Sequence, residues 1–152
     1  VGTELVGRHR SKSVDLFRQG RINFILNSAL DSAAAEHFQL HVPSACAMAL
    51  RVDDARGAMQ RARVLLCPDW QERIGEGERR IPALRGPDGT LIYPVQPSAS
   101  GRTINDDDVR LFADPSTETL LTDIDYVAEA LPVGRMDNFV LFHRALMGFM
   151  PG

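Results

Sequence analysis

His37 and His41 stand four residues apart with Glu36 beside the first, and on a helix that spacing puts both imidazoles on one face. Imidazole and carboxylate are metal-ligating groups. The order is not HExxH and the spacing supplies no third ligand, so a polar helix surface is the more economical reading. Arg8-His9-Arg10-Ser11-Lys12 is the one dense basic run. In a strand Arg8, Arg10 and Lys12 share a face, which is an anion site or, more simply, a set of charges guarding an edge against self-association. Gly75-Glu76-Gly77 lacks the strand–turn–helix setting of a dinucleotide fingerprint, and its acid repels phosphate. Asp106-Asp107-Asp108 reads as a solvated acidic turn, with weak adventitious cation binding as its only alternative. No Ser/His/Asp or Cys/His constellation can be assembled from spacing alone.

The chain of 152 residues, 44% hydrophobic and 24% charged, has the material for one globular domain. A net charge of −3 gives no positive field to recruit nucleic acid or an acidic membrane. Cys46 and Cys67 form no CxxC pair and are expected to be reduced, buried thiols in a cytoplasmic protein. No apolar run approaches the roughly 20 residues of a membrane span. The opening Val1-Gly2-Thr3-Glu4 resembles neither a signal peptide nor an ordinary start, and is expected to mark an artificial boundary.

Residues 4–10, 13–18 and 21–27 are short strand candidates in an antiparallel meander. Alternation sets Val14 and Leu16 against Asp15 and Phe17, and Ile22, Phe24 and Leu26 against Asn23 and Ile25, with Gln19-Gly20 as a tight turn. A connecting helix within 28–39 has Asp31 or Ser32 as its cap and stops before Pro43. The central stretch, Ser44 to Gln96, reads as a complete strand–helix–strand–strand–strand unit. Its apolar run 45–52 ends at Asp53-Asp54, either of which caps a helix from Ala55 to Leu66. Strands follow at 70–74, 79–85 and 90–95, with Gly86-Pro87-Asp88-Gly89 as a hairpin turn. Residues 98–119 form a linker. The strand pattern within 120–131 sets Ile124, Tyr126 and Ala128 on one face, and a helix from Met136 to Met147 is closed by Gly148.

One whole βαβββ unit is thus flanked by the βββ part of a second unit (1–43) and a late βα part (120–152). If the late pair docks beside the opening meander, it completes a second unit in permuted order and covers a bare edge, within one chain or by exchange between two.

Four segments carry a family resemblance. They are Val6-Gly7-Arg8-His9-Arg10-Ser11-Lys12, the run Cys46 to Asp54, Arg85-Gly86-Pro87-Asp88-Gly89-Thr90-Leu91-Ile92-Tyr93, and Ile124-Asp125-Tyr126-Val127 leading to the stretch Phe139 to Leu146. They resemble the vicinal oxygen chelate superfamily, and most of all the hydroxyphenylpyruvate-dioxygenase-like half of bacterial bifunctional 3-dehydroshikimate dehydratases. The resemblance implies an α+β fold of paired βαβββ modules, with curved sheets and helices outside. It also implies a divalent metal, iron, manganese or magnesium, held in the cup by two histidines and a glutamate. Carried over, those places hold Tyr126, Ala47 and Tyr93. A phenol with a pKa near ~10 ligates poorly at neutral pH, and a methyl group cannot ligate at all.

The expectation is therefore a non-catalytic, metal-free module, structural or small-molecule-binding, whose cup is lined by Phe17, Phe24, Ala47, Tyr93 and Tyr126. His143 lies beside the apolar stripe of the last helix. A hydrogen-bonded, partly buried histidine is the ordinary outcome there, and a ligand-contacting pair with Tyr126 is the alternative. A metal-dependent dioxygenase or dehydratase domain, with ligands from elsewhere, is the competing class. A homodimer is expected, with no nucleic-acid or membrane partner.

Overall fold

The computed structural model describes residues 2–96, 105–113, 120–150 and 152. In chain order its elements are β1 (Glu4–His9), β2 (Val14–Gln19), β3 (Ile22–Asn27), α1 (Ala33–His41), β4 (Ala47–Arg51), α2 (Ala55–Val64) and β5 (Asp69–Trp70). Then come β6 (Ala83–Arg85), β7 (Leu91–Val95), α3 (Asn105–Asp108), β8 (Val109–Leu111) and α4 (Met136–Phe142). A π-helical turn, His143–Met147, continues the last helix to Gly148, whose left-handed backbone at φ 70° ends it.

The first sheet has the order β3-β2-β1-β8. β2 and β3 pair without a break, Leu16 opposite Ile25 and Phe17 opposite Phe24. The alternation read from sequence is thereby realised, with Phe17, Ile22, Phe24 and Leu26 on one face. Gly20, at φ 54°, takes the first position of the two-residue turn, where a side chain would be strained. The register of β1 on β2 slips between Leu5 and Gly7. β8 lies close over that bend: a Cβ on Gly7 would fall 2.5 Å from Cγ1 of Val109.

β8 corrects two expectations. β1 is an interior strand, so the basic run does not guard an edge. The stretch 98–119 is not only a linker, because α3 and β8 are built from it; its residues 98–104 and 114–119 lie outside the described residues.

The second sheet has the order β4-β7-β6-β5, with β4 parallel to β7 and the other pairs antiparallel. Asp54 caps α2 by accepting from the Gly57 amide at 2.9 Å, and Ser32 caps α1 by accepting from Ala35. Met59 and Ala62 on α2 bury against Leu84 of β6 and Leu146 of the π-helical turn, with Cys67, Phe142 and Met147 packed at the rim. Full burial of a side chain such as Leu84 or Ile92 here, or Val6 or Leu16 in the first sheet, contributes about 1.5–3 kcal/mol. Pro94 tolerates a strand position because β6 pairs only with Leu91 and Ile92.

β5 and β6 are shorter than the strands expected at 70–74 and 79–85. The cause is competition for the loop between them: the carbonyls of Arg73 and Gly77 accept from Lys12 and Arg10. The strand expected within 120–131 is not formed either. Residues 120–130 are exposed and without regular structure, and α4 with its π-helical turn stacks on α2 instead of covering the meander. The permuted closure expected from the sequence is therefore not formed among the described residues, where no strand pairs with the outer side of β3.

Candidate functional site

Leu84 and Ile92 pair across β6 and β7 on the side that α2 covers. Alternation places Ala47, Ala49, Leu91 and Tyr93 on the opposite side of the second sheet. Two of the expected cup residues, Ala47 and Tyr93, thus share one sheet face and lie one pairing step apart. Phe17 and Phe24 are cross-strand partners on one face of the first sheet. Tyr126 is 79% exposed on an irregular segment.

His143 is placed differently from the ligand-contacting pair expected with Tyr126. Its Nδ1 lies 2.9 Å from the Phe139 carbonyl, and its ring sits among Phe139, Phe142 and Phe149 at 6.3, 5.3 and 5.7 Å. It is a packed helix histidine, the ordinary outcome.

The three carried-over positions do not fit a divalent metal. Ala47 offers a methyl group. Burial pushes the Tyr93 phenol up to about 12, with the nearby Glu72 carboxylate and Cys46 adding to the effect. A phenolate is therefore less accessible there than in water. Among the described residues no three His, Cys, Asp or Glu side chains converge as a metal-holding group.

The His37–His41 pair lines a shallow cleft with Glu36, Arg85 and Asp88. The imidazoles lie 4.4 Å apart, and Nε2 of His37 is 2.9 Å from Oγ of Ser44. Burial, then the neighbouring His41, lowers the pKa of His37. Arg85 reaches Glu36 at 3.4 Å, joining α1 to the second sheet, and lies 4.2 Å over the Trp70 ring, a cation–π contact between β6 and β5. These contacts make the pair part of a structural seam. Both cysteines are free thiols, their pKa values raised chiefly by burial, which is the unreactive direction.

The most connected polar group is one that spacing did not single out. Glu78, its side chain 2% exposed, sits between the two sheets. It accepts from the Gly75 amide at 2.5 Å, from Lys12 Nζ at 3.1 Å and from the Ser11 hydroxyl, and His9 Nδ1 lies 3.9 Å away. Arg10 reaches Asp108 at 2.6 Å, the Arg79 amide donates to the same carboxylate at 2.8 Å, and Arg79 pairs with Asp107. The basic run and the acidic turn are thus two halves of one clasp. Burial alone would raise the Glu78 pKa; the Ser11, Gly75 and Lys12 hydrogen bonds outweigh it and hold the carboxyl at about 2. The signal in sequence was the pairing of a basic run with acids far along the chain, which no local pattern reveals.

Two sheets of this kind, one a complete βαβββ unit and the other built round the matching three-strand meander, define a fold of the vicinal oxygen chelate class. The model of the family described as hydroxyphenylpyruvate dioxygenase, N-terminal (Glyoxalase_5), matches residues 1–110, and the chain belongs to that family. The chain is 40% identical over 149 residues to a 3-dehydroshikimate dehydratase of Pseudomonas putida, covering 98% of this chain and 24% of the relative. It is 43% identical over 150 residues to the 3-dehydroshikimate dehydratase of Pseudomonas aeruginosa, with the same coverage. A 4-hydroxyphenylpyruvate dioxygenase of a Pseudomonas species is 34% identical, and the chain covers 43% of its length. A solved xylose isomerase-like TIM barrel/4-hydroxyphenylpyruvate dioxygenase fusion protein superposes with a TM-score of 0.86 at 40% identity, over 98% of this chain and 24% of that one. The chain therefore spans about a quarter of the dehydratase relatives it matches.

Among the described residues no helix is long and apolar enough to cross a membrane.

Proposed function

We propose that these residues form a non-catalytic module of the hydroxyphenylpyruvate dioxygenase N-terminal type, one that holds no metal of its own and serves as a structural or small-molecule-binding part. The observation that carries this reading is the donor set: a methyl group at Ala47, a phenol held at about 12 at Tyr93, and an exposed phenol at Tyr126. The apolar residues Phe17 and Phe24 suit an aromatic or aliphatic ligand better than a charged one.

A second reading draws on the relatives' names. A metal-dependent dioxygenase or dehydratase would take its ligands from residues outside those described, with this module as its scaffold. Elemental analysis of the purified protein separates the two. Iron, manganese or zinc at one equivalent per chain overturns the first reading, and folded protein without stoichiometric metal supports it.

A further inference from the structure

Residues 71–82 join β5 to β6. Nη1 of Arg80 donates to Oε1 of Gln71 at 3.0 Å and closes the base of this loop. Its far part is tied to the other sheet. Nζ of Lys12 donates to the Arg73 carbonyl at 2.9 Å, Arg10 donates to the Gly77 carbonyl, and the Arg79 amide donates to Asp108 at 2.8 Å. Glu78 stands at the middle of these ties. Its carboxylate accepts from Lys12 and Ser11 on the β1–β2 turn and from the Gly75 amide of its own loop, while its amide donates back to the Gly75 carbonyl at 3.2 Å. The loop therefore runs from one sheet to the other and is held at both ends.

Strand pairing says what lies beneath it. Trp70 pairs with Ala83, Arg85 with Leu91 and Tyr93 with Ala49, so Trp70, Ala83, Leu91 and Tyr93 share the side of the second sheet away from α2. Yet Ala83 is 0% and Leu91 3% exposed, and Nε1 of Trp70 is shut from solvent without a hydrogen-bond partner. α1 reaches this side at the Arg85 end, through Glu36. Tyr93 lies two residues farther along β7, and the carboxylate that disfavours its ionisation belongs to Glu72, in the loop. The cover ends at β4, where Ala47 and Ala49 are exposed. A buried N–H without an acceptor disfavours the closed arrangement, and opening hydrates it; the ties at Glu78 offset that.

We propose that residues 71–79 are a strap that closes the Tyr93 side of the second sheet, with Glu78 as its fastening. For the small-molecule arm of the reading above, on which this consequence rests, the strap is an autoinhibitory contact that a ligand must displace to reach Tyr93 from the loop side. The strap itself needs neither ligand nor metal, so its failure leaves the argument from the donor set untouched.

Tyr93 and Tyr126 are the two tyrosines of the chain, and Tyr126 is 79% exposed. Nitration with tetranitromethane followed by peptide mapping reads both in one sample. In the unmodified chain Tyr93 should react at least ~10-fold more slowly than Tyr126. Equal rates overturn the proposal. Glu78→Gln should raise the Tyr93 rate at least ~5-fold relative to Tyr126, with faster hydrogen exchange at the Gly75 and Arg79 amides and an unchanged far-UV circular dichroism spectrum. Ser11→Ala removes one tie and keeps the carboxylate, so it should give a smaller rise in the same direction, and it carries the test if Glu78→Gln does not fold. Loosened amides with an unchanged Tyr93 rate overturn the strap as the cover. Amides unchanged in both variants overturn Glu78 as the fastening.

Discussion

The two sheets are built on one plan and finished differently. In the second, β4 lies on β7, and α2 covers Leu84 and buries Met59 and Ala62 against it. In the first, β3 has nothing on its outer side among the described residues, and Phe24, Ile25 and Leu26 stay about half exposed although Ile22 is buried. The meander is thus a complete hydrogen-bonded unit that buries Val6, Leu16 and Ile22 but leaves the far half of β3 open. A strand and helix leading into three antiparallel strands is what turns such a sheet into a stable half-domain.

Truncation of buried side chains gives the largest expected contrast. Leu84→Ala should cost about 2–5 kcal/mol in denaturant unfolding, because the cavity opens beneath α2 where α4 also leans. Phe24→Ala, at a residue already 47% exposed, should cost well under half of that. Equal losses would show that the first sheet is as well covered as the second.

The clasp comes next, since it joins the two. Glu78→Gln should lower stability at neutral pH by about 1–3 kcal/mol, measured by chemical denaturation, as Lys12 and its neighbours lose a charged acceptor. Its folded pKa lies well below the ordinary carboxylate value of about 4.5, at about 2. The contribution is therefore present above about 4.5 and lost as pH falls toward about 2. The variant should flatten the stability profile in that window; an unchanged profile would remove Glu78 from the account.

A smaller pH effect belongs to the Glu129 contact. Partial burial, together with the hydrogen bond and charge of Asp88, raises the Glu129 carboxyl to about 7. A raised acid stabilises the contact while it keeps its proton, and the benefit is lost as pH rises through about 7. Exchange in residues 124–128, corrected for the intrinsic base-catalysed rate, should speed up above that pH. No change after correction would separate the Asp88 contact from the segment.

Local rules explain what was legible in the sequence. Alternation placed Phe17 and Phe24 on one face, Asp54 and Ser32 cap the helices as their side chains allow, and Gly148 ends the last one. Distant contacts were not legible. Glu78 meets Ser11 and Lys12 across more than sixty residues, and that meeting shortens the strands expected around it. β8 was hidden inside a stretch that reads as linker. Residues 120–131 have a strand's pattern, but a strand also needs an edge, and pattern alone cannot say whether that edge is filled. The cup positions were named from a resemblance; the structure places Ala47 and Tyr93 on one sheet face and leaves Tyr126 in solvent.

The claim that this module's own residues hold no metal is tested most directly by thermal unfolding with and without excess iron(II), manganese or zinc. Ligands that bind the folded state raise its midpoint by mass action. A His37→Ala, His41→Ala variant runs alongside, so that chelation by that helix pair is recognised. The account predicts the same midpoint with and without each metal in the variant. A metal-dependent rise that persists in the variant and disappears with Tyr93→Phe would contradict it.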